Sequence, residues 1–210
     1  DFRMPLKQDD ATYQRMNFTF SGVASVFEYP VASLGKQPLK IAGFSGHWLD
    51  PNTLVWNIPE GVTKVKLHHS ANAGIAANED DVVSGSVIAL AEVVLSDEQK
   101  AIAPLVTQWP AFSADWSVAE AKALLKNQLV LVGYNSEGQA IAGTYLQTAK
   151  VLDALYTLAE ADANEADLGL SYSSDGINVA LWAPTAQSVT INVYDANKTK
   201  LTEFGHTKAI

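Results

Sequence analysis

Cysteine is absent from the 210 residues. No disulfide framework can staple the fold, no thiolate can hold a metal, and no cysteine nucleophile is available. Positive charge is scarce as well, with 14 Lys and Arg against 23 Asp and Glu and a formal net charge of -9. A chain of that sign repels another polyanion, so nucleic acid is not an expected partner. Long apolar runs are also missing. The longest, such as residues 87–95, fall far short of the roughly 20 residues that span a bilayer, and no membrane span is expected. The chain opens on Asp1 without a charged-then-apolar leader and reads as a fragment.

What is present is an ordinary globular composition, 48% hydrophobic, enough for one large core or two small ones. Residues 1–40 carry weak strand signals, Asn17-Phe18-Thr19-Phe20 and Ala24-Ser25-Val26-Phe27-Glu28-Tyr29, broken by Pro30, Gly35 and Pro38. They read as a lead-in arm or the tail of an upstream module. From residue 41 the β signal strengthens. Residues 41–48, the turn Leu49-Asp50-Pro51-Asn52 and then Thr53-Leu54-Val55-Trp56 predict a hairpin. Residues 62–68 alternate apolar and polar, as a strand with one wet face does.

Ser96 with Gln99, and Ser117 with Glu120, each match a capping box, which predicts short helices over 97–105 and 118–126. Residues 128–134 and 139–147 flank Asn135-Ser136-Glu137-Gly138, a turn sequence between two strands. Val151, Leu152, Leu155 and Leu158 recur at helical spacing and predict a helix over 148–161 that ends at the acidic run 160–167. From Leu168 the pattern becomes strand, turn, strand: residues 170–172, 177–182 and 189–194, with turns at 173–176 and 195–198. This predicts the opening meander of a β-sandwich. An immunoglobulin-type sandwich takes about 100 residues, and residues 168–210 provide less than half of that, so the second unit reads as truncated. The expected class is mainly β with a few short helices (α+β), a β-sandwich-like domain followed by a truncated immunoglobulin-like β-sandwich. The expected units are 1–40, 41–163 and 164–210.

Asp50, Asp153 and Asp175 are read as turn or cap residues. His68 and His69 are adjacent, so on a strand they face opposite sides and cannot share one metal. Asn78-Glu79-Asp80-Asp81 offers hard oxygen ligands without the spacing of a calcium loop and is read as a solvated loop. Sugar rings stack on exposed aromatic faces flanked by polar groups, which makes the five tryptophans the candidate contacts. Trp48 and Trp56 bracket one tight turn and are either a pair of stacking platforms or core. With Trp109 they form the candidate stacking set. Trp116, just before the cap at Ser117, reads as a hydrophobic staple, and Trp182, in an alternating segment, as core or interface.

The segment Leu168-Gly169-Leu170 through Gly176-Ile177-Asn178-Val179-Ala180-Leu181-Trp182-Ala183-Pro184-Thr185-Ala186 resembles the start of the β-sandwich that precedes the catalytic barrel in pullulanases and isoamylases, carbohydrate-binding module family 48. Val189-Thr190-Ile191-Asn192-Val193-Tyr194-Asp195 continues in that family's manner. Upstream, Gly46-His47-Trp48-Leu49-Asp50, Asn52-Thr53-Leu54-Val55-Trp56, Trp109-Pro110-Ala111-Phe112 and Leu146-Gln147-Thr148-Ala149-Lys150-Val151-Leu152-Asp153 resemble the pullulanase N-terminal middle domain, which sits just before that module. His68-His69 stands where that family usually has a Tyr-Tyr pair.

The resemblance implies an N-terminal accessory region of a bacterial pullulanase-type debranching enzyme of glycoside hydrolase family 13. Such a parent cleaves α-1,6-glucosidic linkages in pullulan, starch or glycogen with retention. Retaining chemistry needs two carboxyl groups about 5 to 5.5 Å apart on the loops of a (β/α)₈ barrel of roughly 250 residues. This chain has neither that length nor the repeating strand-helix order, so no catalytic residue is expected in it. The resemblance implies no cofactor for this segment and allows calcium in the parent. Its expected partners are the barrel and neighbouring modules of the same polypeptide, with α-glucan as the alternative direct ligand, and its expected location is secreted or associated with the cell envelope.

Overall fold

A computed structural model describes residues 15–18, 27–30, 39–78, 80–157, 163–174 and 176–206. Expectations at Phe20, Ala24, Glu79, the acidic residues 160–162 and Asp175 lie outside them. Fourteen strands are described: β1 Arg15–Phe18, β2 Phe27–Pro30, β3 Gly46–Asp50, β4 Thr53–Trp56, β5 Lys64–Ser70, β6 Ser86–Ala89, β7 Ala91–Val93, β8 Ala111–Ser113, β9 Gln128–Tyr134, β10 Ala140–Gln147, β11 Gly169–Ser173, β12 Gly176–Ala180, β13 Val189–Tyr194 and β14 Lys200–His206. The α-helices are α1 Asp97–Ile102, α2 Val118–Leu124 and α3 Ala149–Leu152. The chain is mainly β with short helices, as expected.

The first unit is an eight-stranded ladder in the order β6-β5-β9-β10-β3-β4-β8-β7. Its edge strands β6 and β7 are separated in sequence by Leu90 alone, so the two edges are halves of one bent strand and the ladder closes on itself. At the opposite corner β10 meets β3 through a short parallel pairing, Leu146 with Gly46 and Gln147 with His47. The result is a sandwich whose strands change sheet at two corners. Strand alternation sends Val65 and Leu67 of β5, Leu129 and Leu131 of β9 and Leu146 of β10 inward, where they meet Trp48, Leu54, Trp56 and Phe112 from the facing strands. Val151, Leu155 and Tyr156 close one side of this core.

Both outer faces are also partly covered. Leu49, Val55 and Ala111 pack under Leu95 and Val106, while Val130, Val132 and Ala140 pack under Ile75 and Val83. Leu39, in the expected arm, and Ile41 lie against this last cluster. Strand β4 is consequently buried on both faces along its whole length.

Local chemistry explains the connections. Ser96 and Ser117 each accept a hydrogen bond from the backbone N–H three residues on, and Gln99 and Glu120 reach back to the cap N–H, completing both predicted capping boxes. The helices end at Ile102 and Leu124, shorter than predicted. Asn135 turns the β9–β10 hairpin by accepting from the N–H groups of Glu137 and Gln139, and Gly138 supplies the left-handed φ of +81°. Of the predicted helix over 148–161, the described residues form one turn of α-helix, α3, followed by a π-helical turn, Asp153–Thr157.

The second unit differs from the predicted meander. It consists of two separate antiparallel ribbons, β11–β12 and β13–β14, with no ladder joining them among the described residues. Strand β12 ends at Ala180, which leaves Trp182 in the following loop rather than in a strand.

Candidate functional site

The candidate stacking set divides in the structure. Trp48 and Trp56 are buried in the central core and present no ring face to a sugar, which corrects the reading of them as platforms. The cause is the closed ladder, which places β3 and β4 between two covered faces. Trp48 packs against the tilted ring of Trp116, centroids 5.5 Å apart, with its own Nε1–H unpartnered inside the core. Trp116 is held by donating from Nε1 to the carbonyl of Pro51, and Asn52 returns the tie by donating to the carbonyls of Ala114 and Trp116 at 3.2 and 2.9 Å. Trp116 therefore staples the β3–β4 turn to the approach of α2.

Trp109 remains half-buried, its ring 5.5 Å from that of His47. Partial burial holds the His47 imidazole below its ordinary pKa. A second aromatic pair was not singled out from sequence. Phe44, 63% exposed, lies 5.3 Å from Tyr145 at an interplanar angle of 33°. Gln147, at the same corner of β10 and β3, donates to the Phe44 carbonyl at 2.6 Å. Exposed aromatic faces beside an amide are the elements of a sugar-contact surface. Only the pairing of distant segments at that corner brings them together.

The carboxylates do local work. Asp50 accepts from the Asn52 N–H at 3.0 Å and from Gln99 Nε2 at 2.7 Å, tying the β3–β4 turn to α1. Within the π turn the Thr157 hydroxyl donates to the Asp153 backbone carbonyl at 3.1 Å and lies 3.5 Å from its carboxylate. In the 78–81 loop, Asn78 accepts from the N–H groups of Asp80 and Val82, and Asp81 accepts from the Leu39 N–H at 2.8 Å. Asn78 and Asp81 thus spend side-chain oxygens on backbone N–H groups, as a hydrogen-bonded loop does. Among the described residues, no three His, Asp or Glu side chains are grouped as metal ligands.

The histidine pair sits on opposite faces of β5. His68 is fully buried on the outer side. Its Nδ1–H donates to the Ser84 carbonyl at 2.9 Å, and Nε2 accepts from the Tyr134 hydroxyl at 2.8 Å. A carbonyl can only accept, so Nδ1 carries a hydrogen, and the lowered pKa makes the ring the neutral Nδ1–H tautomer. Burial is the main cause that lowers the His68 pKa, with Lys66 and His69 adding to it against the opposing Ser84 hydrogen bond. His69 accepts from the Asn127 amide at 3.2 Å. Neither ring reaches a common ligand position.

The two units touch through the loop after β12. Trp182 meets the buried Tyr156 edge-on, centroids 5.3 Å apart at 85°, and Lys122 of α2 places its ammonium 4.4 Å from the Tyr156 ring centre. Gln187 donates from Nε2 to the carbonyls of Ala71 and Lys126.

A closed sandwich followed by paired ribbons, with Asp50, Glu120 and Asp195 engaged in turns and caps, defines a sheet-built segment. Two family matches agree with it: the Pullulanase N2 domain over residues 44–154, and Carbohydrate-binding module 48 (Isoamylase N-terminal domain) over 167–208. The chain belongs to the Pullulanase N2 domain family. It is 32% identical over 161 residues to a pullulanase of Klebsiella pneumoniae, a match covering 75% of this chain and 14% of that protein. It is 26% identical over 182 residues to the chloroplastic pullulanase 1 of Arabidopsis thaliana, covering 83% and 18%. The solved structure of Klebsiella pneumoniae pullulanase complexed with maltotriose superposes with a TM-score of 0.73 at 27% identity, covering 90% of this chain and 17% of that one. The chain thus spans less than a fifth of the length of these relatives. Among the described residues no helix is long and apolar enough to cross a membrane.

Proposed function

We propose that this segment is a non-catalytic scaffold of an α-1,6-glucan debranching enzyme, which holds neighbouring modules of the same polypeptide and helps place a catalytic barrel on branched α-glucan. One observation carries the reading: two accessory-module matches stand in series. The carboxylates of Asp50 and Asp153, read from the sequence as turn or cap groups, are spent on local hydrogen bonds. The parent hydrolyses α-1,6 linkages in pullulan, starch or glycogen. Any calcium the parent uses is assigned by this reading to the rest of the parent, and in this segment Asn78 and Asp81 accept from backbone N–H groups. The parent acts outside the cytoplasm or at the cell envelope, which fractionation of a producing cell checks.

A pullulan reducing-sugar assay on the 210-residue chain tests the non-catalytic half of the reading, with no release expected. Excising residues 41–163 from a parent enzyme tests the scaffold half. The expected result is a loss of kcat/KM on branched polymer larger than the loss on a short branched oligosaccharide. Equal losses on both would sink the scaffold role.

Direct α-glucan binding is the second reading, favoured by the exposed Phe44 ring beside Tyr145 and Gln147 and by the half-buried Trp109. Calorimetric titration with maltooligosaccharides separates the two. Heat that disappears in Phe44→Ala supports direct contact, whereas no heat and no tryptophan fluorescence change supports scaffold alone.

A further inference from the structure

The run Trp182-Ala183-Pro184-Thr185-Ala186 belongs to the family resemblance of the second unit, yet it and the following Gln187 lie in neither ribbon. Its backbone is a tight turn closed by a hydrogen bond from the Ala186 N–H to the Ala183 carbonyl at 3.1 Å, with Pro184 at the second position, where its fixed φ suits such a turn. Pro184 is buried between a half-buried Ala183 and an exposed Thr185. The residues on either side of this rigid turn, Trp182 and Gln187, both reach the first unit.

The receiving surface is assembled from three separate elements at one end of the first sandwich. Ala71 follows β5, Lys126 follows α2, and Tyr156 sits on the π turn after α3. The first two lie at the same end of the β5–β9 pair, where Ser70 stands opposite Gln128. Gln187 uses one side-chain nitrogen to donate to both strand-end carbonyls, 2.6 Å to Ala71 and 3.0 Å to Lys126. A side-chain amide nitrogen carries two hydrogens, so both are used, on carbonyls that otherwise face the end of a sheet. Trp182 and Tyr156 meet in a T-shaped, edge-to-face pair, the favoured quadrupole arrangement, and Lys122 approaches the Tyr156 ring.

We propose that the turn from Trp182 to Gln187 is an intramolecular docking element which locks the second unit onto the end of the first sandwich and so fixes the direction in which it is presented. Small contacts between units in one chain ordinarily permit relative motion. Here three directional contacts on one proline-stiffened turn, an amide fork and an aromatic edge flanking a buried ring, hold both rotation and translation. The scaffold reading gives this lock its purpose, but the lock itself rests on the contacts alone.

Nuclear magnetic resonance relaxation and residual dipolar couplings on the labelled 210-residue chain test it. In the unaltered chain, residues 46–157 and 169–206 should share one rotational correlation time and fit one alignment tensor, with direct cross-peaks between the Trp182 and Tyr156 rings. In Gln187→Glu, a carboxylate of the same shape faces two carbonyls to which it cannot donate, and the correlation time of 169–206 should fall away from that of 46–157. The double change Trp182→Ala with Gln187→Ala should separate the tensors completely while the interior shifts of the first sandwich stay in place. Separate tensors in the unaltered chain overturn the proposal, and so does a single tensor that survives Gln187→Glu. Should the double variant lose the dispersed resonances of 169–206, Gln187→Glu alone decides, because it alters one exposed loop side chain. Maltooligosaccharide titration does not bear on this result, so the lock and the glucan readings can fail separately.

Discussion

Two β-rich regions of similar local pattern end in different physical states. In the first sandwich, Leu131 at the centre of β9 is fully buried, whereas in the second unit Leu170 of β11 is 60% exposed. Both leucines occupy strands with well-formed antiparallel partners. The difference lies above the ladder: β9 has neighbours on both edges and packed layers on both faces, while β11 has one neighbour. Leu170, Tyr172, Ile177 and Val179 pair across that ribbon and remain exposed together. A lone two-stranded ribbon is marginal in water, so alternation specifies a face and packing decides whether that face is dry.

The comparison is broken most forcefully from the buried side. Leu131→Ala removes side-chain volume from the middle of the closed core and should destabilise the first sandwich by about 2–5 kcal/mol, read as a lower urea midpoint at unchanged slope. Overpacking the same strand should cost somewhat less. A Cβ at Gly133 would meet Val62 methyls at 2.7 and 2.9 Å and Trp56 at 3.3 Å, so Gly133→Ala should destabilise by about 1–3 kcal/mol. Neutral stability in that variant would mean that the Val62 end of the core yields freely.

A pH series sharpens the comparison further, because the first sandwich buries a titratable ring against its outer face. The lowered folded pKa of His68 means that the unfolded chain binds the proton more readily. The stabilisation from neutral His68 is therefore complete above the unfolded value of about 6.5 and is lost as pH falls from there through the lowered folded value. Protonation would place a hydrogen on Nε2, where the Tyr134 hydroxyl now donates, with Lys66 close by over the Tyr134 ring. His68→Gln should flatten the stability profile of the first sandwich in that window, measured by denaturation at stepped pH. A profile equally steep in both proteins would assign the slope to other groups.

These contrasts show how much was legible in the sequence. Capping boxes at Ser96 and Ser117 and the Asn135–Gly138 turn could be read because their partners lie within four residues. Strands β6, β7 and β8 escaped notice because they are three or four residues long and their alternation is incomplete. The placement of Trp48 and Trp56 depended on a closure that no local pattern encodes. A strand covered on both faces, as β4 is, reads as a plain apolar run. For the same reason Phe44 and Tyr145, joined only where β10 meets β3, were invisible as a pair. Trp182 stood inside a run singled out for its resemblance and Gln187 directly follows that run, but their partners Tyr156, Ala71 and Lys126 come from three other segments.

The smallest effect completes the comparison. Leu170→Ala changes the same residue type, on a strand of the same kind, where the side chain already meets water. Removing it opens no cavity and exposes little new surface, so the stability of the 210-residue chain should move by no more than about 0.5 kcal/mol. If the loss instead approached that of Leu131→Ala, the face formed by Leu170, Tyr172, Ile177 and Val179 would have to be covered in solution. Sedimentation of the chain over a concentration series would then reveal whether a second copy covers it, since burial of that face between copies makes stability rise with concentration.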